Sequence, residues 1–98
     1  MILVRDVFQL KFGKARDALT MFEEGKKYMQ NNGHNPTRIL TDLSGNYYTL
    51  VMESSFDNLA EYEKGHTQTG DSKQWHDWYQ KFCTLVESGH REIFNVVQ

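Results

Sequence analysis

Apolar residues recur at every second position through Ile2, Val4, Phe8, Leu10 and Phe12, and Asp6 is the one break in that face. A period of two predicts a β-strand from Ile2 to Phe12. Its other face, Leu3, Arg5, Val7, Gln9 and Lys11, begins apolar and ends polar. After Gly13 the period lengthens. Ala15, Ala18, Leu19, Phe22, Gly25, Tyr28 and Met29 fall within one broad helical face, predicting a helix from Lys14 to about Asn31. Lys26 and Lys27 suit the negative pole of its dipole, and Asn31-Asn32-Gly33 tolerates a left-handed stop.

Asn35-Pro36 restarts an extended chain. The β-rich runs Arg38 to Leu43 and Tyr47 to Glu53, separated by Ser44-Gly45-Asn46, read as a hairpin. A short helix follows, capped by Ser55 or Asp57, starting near Asn58 and ending around Gly65-His66. Thr67 to Gly70 reads as a break. Asp71 or Ser72 then caps a longer helix through Glu87, on which Trp75, Trp78, Tyr79, Phe82, Leu85 and Val86 follow helical spacing. Ser88-Gly89 ends it. A last strand, His90 to Val97, sets Arg91, Ile93, Asn95 and Val97 against Glu92, Phe94 and Val96.

Strand, helix, strand, strand, helix pair, strand is the split βαβ order, so the expected fold is α+β and ferredoxin-like: βαββαβ with a split second helix. Right-handed crossovers place all helices on one face of a four-stranded antiparallel sheet. The other face needs water or a partner. Tyr47 and Val51 oppose Tyr48, Leu50 and Met52, while Ile93 and Val97 oppose Phe94 and Val96, so both faces carry apolar side chains. A sheet wetted on one side shows a cleaner polar face, which points to a homodimer closed through the open faces.

The 98 residues, without an internal Pro/Gly/Ser-rich linker, read as one domain over residues 1–98. A composition 39% hydrophobic and 13% aromatic supplies a packed core and argues against disorder. A net charge of -2 lacks the basic excess that phosphate neutralisation needs, so nucleic acid is not an expected partner. Met1-Ile2-Leu3-Val4 is broken at once by Arg5 and Asp6, and no segment is expected to enter a membrane. Cys83 is the single cysteine, which suits a cytoplasmic location.

Several residue runs resemble the dimeric α/β-barrel superfamily, and within it NIPSNAP-like and antibiotic-biosynthesis-monooxygenase-like small domains. They are Phe12-Gly13-Lys14, Phe56-Asp57-Asn58-Leu59, and Trp75-x-x-Trp78-Tyr79-x-x-Phe82 running into Leu85-Val86-Glu87-Ser88-Gly89-His90-Arg91-Glu92-Ile93. The resemblance implies a homodimeric α/β barrel. It also implies either a cofactor-independent monooxygenase-like enzyme acting on a small aromatic or polyketide-like substrate, or a non-catalytic small-ligand-binding or assembly protein. Haem degraders of the superfamily use an Asn on the first strand with a later Trp and His. Here that strand offers Asp6, and Trp75 and His76 are adjacent, so their side chains diverge by about 100° on a helix.

Among candidate chemical groups, His66 suits a general base at a pocket rim, or else an exposed histidine against helix-end carbonyls. Trp75, Trp78 and Tyr79 suit an aromatic wall for a flat apolar ligand, and equally the packing stripe that a helix presents to a sheet. His76 and Cys83, seven residues apart, lack the further ligands of a zinc site or the base and orienting group of a nucleophile. No metal and no cofactor is expected. Asp6, Arg38 and Asp42 lie within strands, where cross-strand ion pairs or edge exposure accommodate a charge.

Overall fold

The computed structural model describes residues 1–31 and 38–98. The strands are β1 (Ile2–Leu10), β2 (Arg38–Thr41), β3 (Thr49–Phe56) and β4 (Val86–Asn95); the helices are α1 (Ala15–Asn31), α2 (Leu59–Gly70) and α3 (Lys73–Cys83). The strands pair antiparallel in the order β2-β3-β1-β4. Each crossover thus skips one strand, and the fold is the ferredoxin-like α+β fold. The expected stop at Asn32-Gly33 and restart at Asn35-Pro36 lie outside the described residues.

Gly13 turns the chain from β1 into α1 at a φ of 83°, a conformation that a Cβ disfavours. Among the described side chains of α1, Ala18, Phe22 and Gly25 are the buried positions, four and three residues apart. They meet Leu10, Leu50 and Met52 from the sheet and Trp78 and Phe82 from α3. Phe22 touches Trp78 and Phe82 edge-on at 5.5 and 5.1 Å between ring centres. A second, smaller core joins Ile2 and Val4 to Tyr62 of α2. Each fully buried side chain of the Leu or Phe class contributes about 1.5–3 kcal/mol, so these two clusters hold the helices on one sheet face.

Several boundaries differ from the sequence reading. β1 ends at Leu10, and Phe12 lies in the following loop, 75% exposed, with its ring against Tyr48. The hairpin loop is longer than three residues: β2 ends at Thr41 and β3 begins at Thr49, and beyond the ladder the Asp42 N–H donates to the Thr49 carbonyl at 3.3 Å while its carboxylate accepts the Thr49 N–H at 3.0 Å. α2 is capped by Asn58, whose side chain accepts the Glu61 N–H at 2.9 Å, and it runs through Thr67 to Gly70 without a break. α3, capped by Ser72, stops at Cys83, and residues 86 to 89 belong to β4. There β1 captures the chain: Lys11 donates its N–H to the Leu85 carbonyl at 2.8 Å, Leu10 pairs with Val86 and Gln9 with Ser88, leaving Glu87 as a bulge.

The helix-free face carries Leu3, Val7, Leu40, Val51 and Phe94 around a row of charges. In register across the sheet, Arg38 opposes Glu53, Glu53 opposes Arg5, and Arg5 opposes Glu92.

Candidate functional site

Between the sheet and helices α2 and α3 lie two adjoining cavities. The first, about 430 Å³, lies between β1 and β4 below and α3 above. The second, about 280 Å³, opens towards α2. Both fall near the lower end of the range for small-molecule sites, about 300–1,000 Å³. Asp6, Met52, Trp75, Tyr79 and Arg91 line both. The recess between α1 and β2 is larger, about 520 Å³, but its charges are already engaged, Lys26 with Glu23 and Arg38 with Glu53.

On the floor of the first cavity Gly89 stands opposite Phe8 on the helix-facing side, and a Cβ there would meet the Phe8 ring at 3.2 Å, so the glycine lets that ring lie close against β4. Above it, the α3 rings stack: Trp75 on Trp78 at 5.0 Å and 28°, and Trp75 on Tyr79 at 5.8 Å and 23°. Positions 75, 78, 79 and 82 share a helix face, so one helix supplies the whole aromatic wall.

The polar group of the site comes from β1 and its edge neighbour β4. Asp6 pairs in register with Arg91, and the Arg91 Nε–H donates to the Asp6 carboxylate. Asp6 is 7% exposed, so its charge needs this partner. Arg91 also donates from Nη1 to the Tyr62 hydroxyl at 2.6 Å and lies over the Tyr62 ring. Partial burial opposes the Arg91 charge, but the Asp6 carboxylate outweighs it and holds the guanidinium above its ordinary range. Burial pushes the Tyr62 hydroxyl up, against the pull of Arg91. Burial also pushes up the Tyr79 hydroxyl, with the neighbouring Cys83 adding to it. Both phenols are therefore protonated at neutral pH.

The sequence candidates divide between the cavities. Trp75 and Tyr79 line both, Trp78 only the first and His66 only the second. Trp78 is 5% exposed and donates its indole N–H to the Met21 carbonyl at 2.6 Å, so most of its ring is core. His66 stands within α2, not at its end, and is exposed with its ring tilted against Tyr62, one turn earlier, at 5.7 Å. His76 holds the Gly70 carbonyl through Nε2, and Cys83 is a free, exposed thiol. Of the three strand charges, Asp6 and Arg38 form cross-strand ion pairs, and Asp42 closes the hairpin. Among the described residues no group of three or more metal-binding side chains assembles, and no helix is long and apolar enough to cross a membrane.

Arg91, Tyr62 and Gly89 were absent from the sequence candidates. Asp6 carried the one available signal, an acid inside an otherwise apolar strand face. Its partner lies 85 residues away, and nothing local to either residue joins them.

The fold has close structural relatives at low sequence identity. An uncharacterised NIPSNAP domain protein from Burkholderia xenovorans superposes with a TM-score of 0.93 at 13% identity, over 99% of this chain and 95% of that one. A NIPSNAP family protein of unknown function from Agrobacterium tumefaciens gives 0.90 at 18% identity, over 96% of this chain and 86% of that one. A putative antibiotic biosynthesis monooxygenase from Nitrosomonas europaea gives 0.74 at 10% identity, with all of both chains covered. No curated protein matches the sequence. The NIPSNAP family model matches residues 5–98, nearly the whole length, and the chain therefore belongs to the NIPSNAP family.

Proposed function

We propose that this protein binds a small, flat aromatic or polyketide-like molecule in the cleft between α3 and the sheet and acts on it as a cofactor-independent monooxygenase-like enzyme. One observation carries this reading: the Trp75 and Tyr79 rings share a cavity of about 430 Å³ with the buried Asp6–Arg91 pair. An aromatic wall holds a flat body, and a few fixed polar groups orient it. The fold shared with the Nitrosomonas protein supports the choice of chemistry by analogy. His66, at the second cavity, takes a proton from the substrate. The electron-rich substrate then reduces molecular oxygen: its activated carbon loses two hydrogens and gains one oxygen atom as a carbonyl, and the other oxygen leaves as water.

The helix-free face favours a second copy of this chain as its cover, because Leu3, Val7, Val51 and Phe94 flank a charge row of alternating sign on it. A homodimer closed this way leaves the cleft on the opposite side of each sheet.

Oxygen uptake with a panel of electron-rich phenols and polycyclic ketones tests the chemistry. The expected result is protein-dependent uptake of one oxygen molecule per substrate, slowed about 100-fold in His66→Ala. An unchanged rate in that variant removes the proposed role of His66. Binding without uptake of oxygen, across the panel, selects instead a ligand-binding protein without catalysis.

A further inference from the structure

The cleft's hydrogen-bonding groups are unbalanced in a way that selects a ligand. A guanidinium carries five N–H donors. Arg91 uses Nε–H on Asp6 and one Nη1–H on Tyr62, and its other three N–H groups have no partner among the described residues. Tyr62 accepts from Arg91, which leaves the phenol's own hydrogen to donate, and burial keeps that hydrogen in place at neutral pH. Both residues line the second cavity, next to the aromatic wall of Trp75 and Tyr79. The Arg91 guanidinium, on a side chain 45% exposed, and the Tyr62 hydroxyl thus border this cavity with donors available to an oxygen acceptor.

Charge narrows the choice. The Asp6 carboxylate is 9% exposed and already neutralises Arg91, so the pair is a fixed set of donors with little net charge. A carboxylate ligand gains those donors but also meets the like charge of the adjoining Asp6 carboxylate. A neutral carbonyl oxygen gains the donors without that repulsion.

Building on the aromatic-ligand reading above, we propose that Arg91 and Tyr62 form a subsite for the carbonyl oxygen of a neutral aryl ketone, and that Asp6 sets its preference for neutral over anionic head groups. Asp6 is then a positioning and selectivity residue: it holds the guanidinium through Nε and turns away acids.

Three naphthalenes separate the contributions: 2-acetylnaphthalene with a neutral carbonyl, 2-naphthoate with a carboxylate, and 2-methylnaphthalene with no polar head. Their affinities are measured on the intact protein by ligand-observed NMR. The ketone is expected to bind about tenfold more tightly than either of the others. Tyr62→Phe keeps the ring against Phe56 and is expected to cost the ketone about tenfold while leaving 2-methylnaphthalene unchanged. Asp6→Asn is expected to raise the affinity for naphthoate and abolish the preference for the ketone. Equal affinities of the three naphthalenes for the unmodified protein overturn the subsite, although the aromatic cleft stands. An unchanged ketone-to-naphthoate ratio in Asp6→Asn overturns the selectivity role. Failure of all three to bind removes the cleft reading and this inference with it.

Discussion

Gly25 shows how one residue sets the geometry of the cleft's back wall. A glycine within a helix costs about 1 kcal/mol relative to alanine, so its place in α1 needs a reason. A Cβ there would stand 2.5 Å from the Trp78 indole. The indole lies close across the helix backbone and donates to the Met21 carbonyl, one turn before Gly25. We expect Gly25→Ala to lower stability by about 1–2 kcal/mol in urea denaturation, because overpacking costs more than the gain in helix propensity returns. A midpoint equal to or above that of the parent would refute the close approach as the cause. The sequence placed Gly25 on the packed helical face, but it held no sign that a tryptophan 53 positions later needs the space.

At the scale of elements, the open-face charge row ties three strands together. Glu53 of β3 is 1% exposed, shielded by the guanidiniums of Arg5 on β1 and Arg38 on β2. A slip of one residue in either pairing would turn Glu53 away from its partner, so the row helps fix the register. The Arg38 hydrogen bonds, opposed by burial and reinforced by Arg5, hold the Glu53 carboxyl below its usual 4.5. The folded state therefore binds fewer protons than the unfolded chain. The stabilisation is complete above about 4.5 and is lost as pH falls through that value towards the lower folded-state pKa. Glu53→Gln is expected to cost about 1–2 kcal/mol at pH 7 and to flatten the decline as pH falls below 4.5, followed by thermal unfolding. A decline as steep as the parent's would assign it to other carboxylates. Element types and order were legible in the periodicity, whereas some ends were not. Thr67 to Gly70 stay helical despite poor intrinsic propensity, and Val86 leaves a helical pattern because β1 offers it a ladder partner.

For the whole molecule, the decisive feature is that helices cover one face of a sheet with apolar side chains on both. We expect light scattering at micromolar concentration to return twice the 11.5 kDa chain mass. Val7→Asp, placed among the open-face residues, is expected to shift it to the single-chain mass, since a charge buried without a partner is costly. A folded parent at the single-chain mass would overturn the homodimer. The candidate site was only half visible at this scale. The aromatic wall lies on one helix and so shows in local spacing. The polar half joins β1, α2 and β4, brought together only when the sheet closes.

The sequence by itself determined the element order, the split βαβ topology and the aromatic stripe of α3, because these follow from periodicities of two and 3.6 within short windows. Tertiary structure alone decided that Asp6 meets Arg91, that Arg91 meets Tyr62, and that the Phe8 ring lies close against Gly89. Those contacts depend on strand register, a bulge and helix docking. Such features are set by the free energy of the assembled chain, not by preferences that any one segment carries alone.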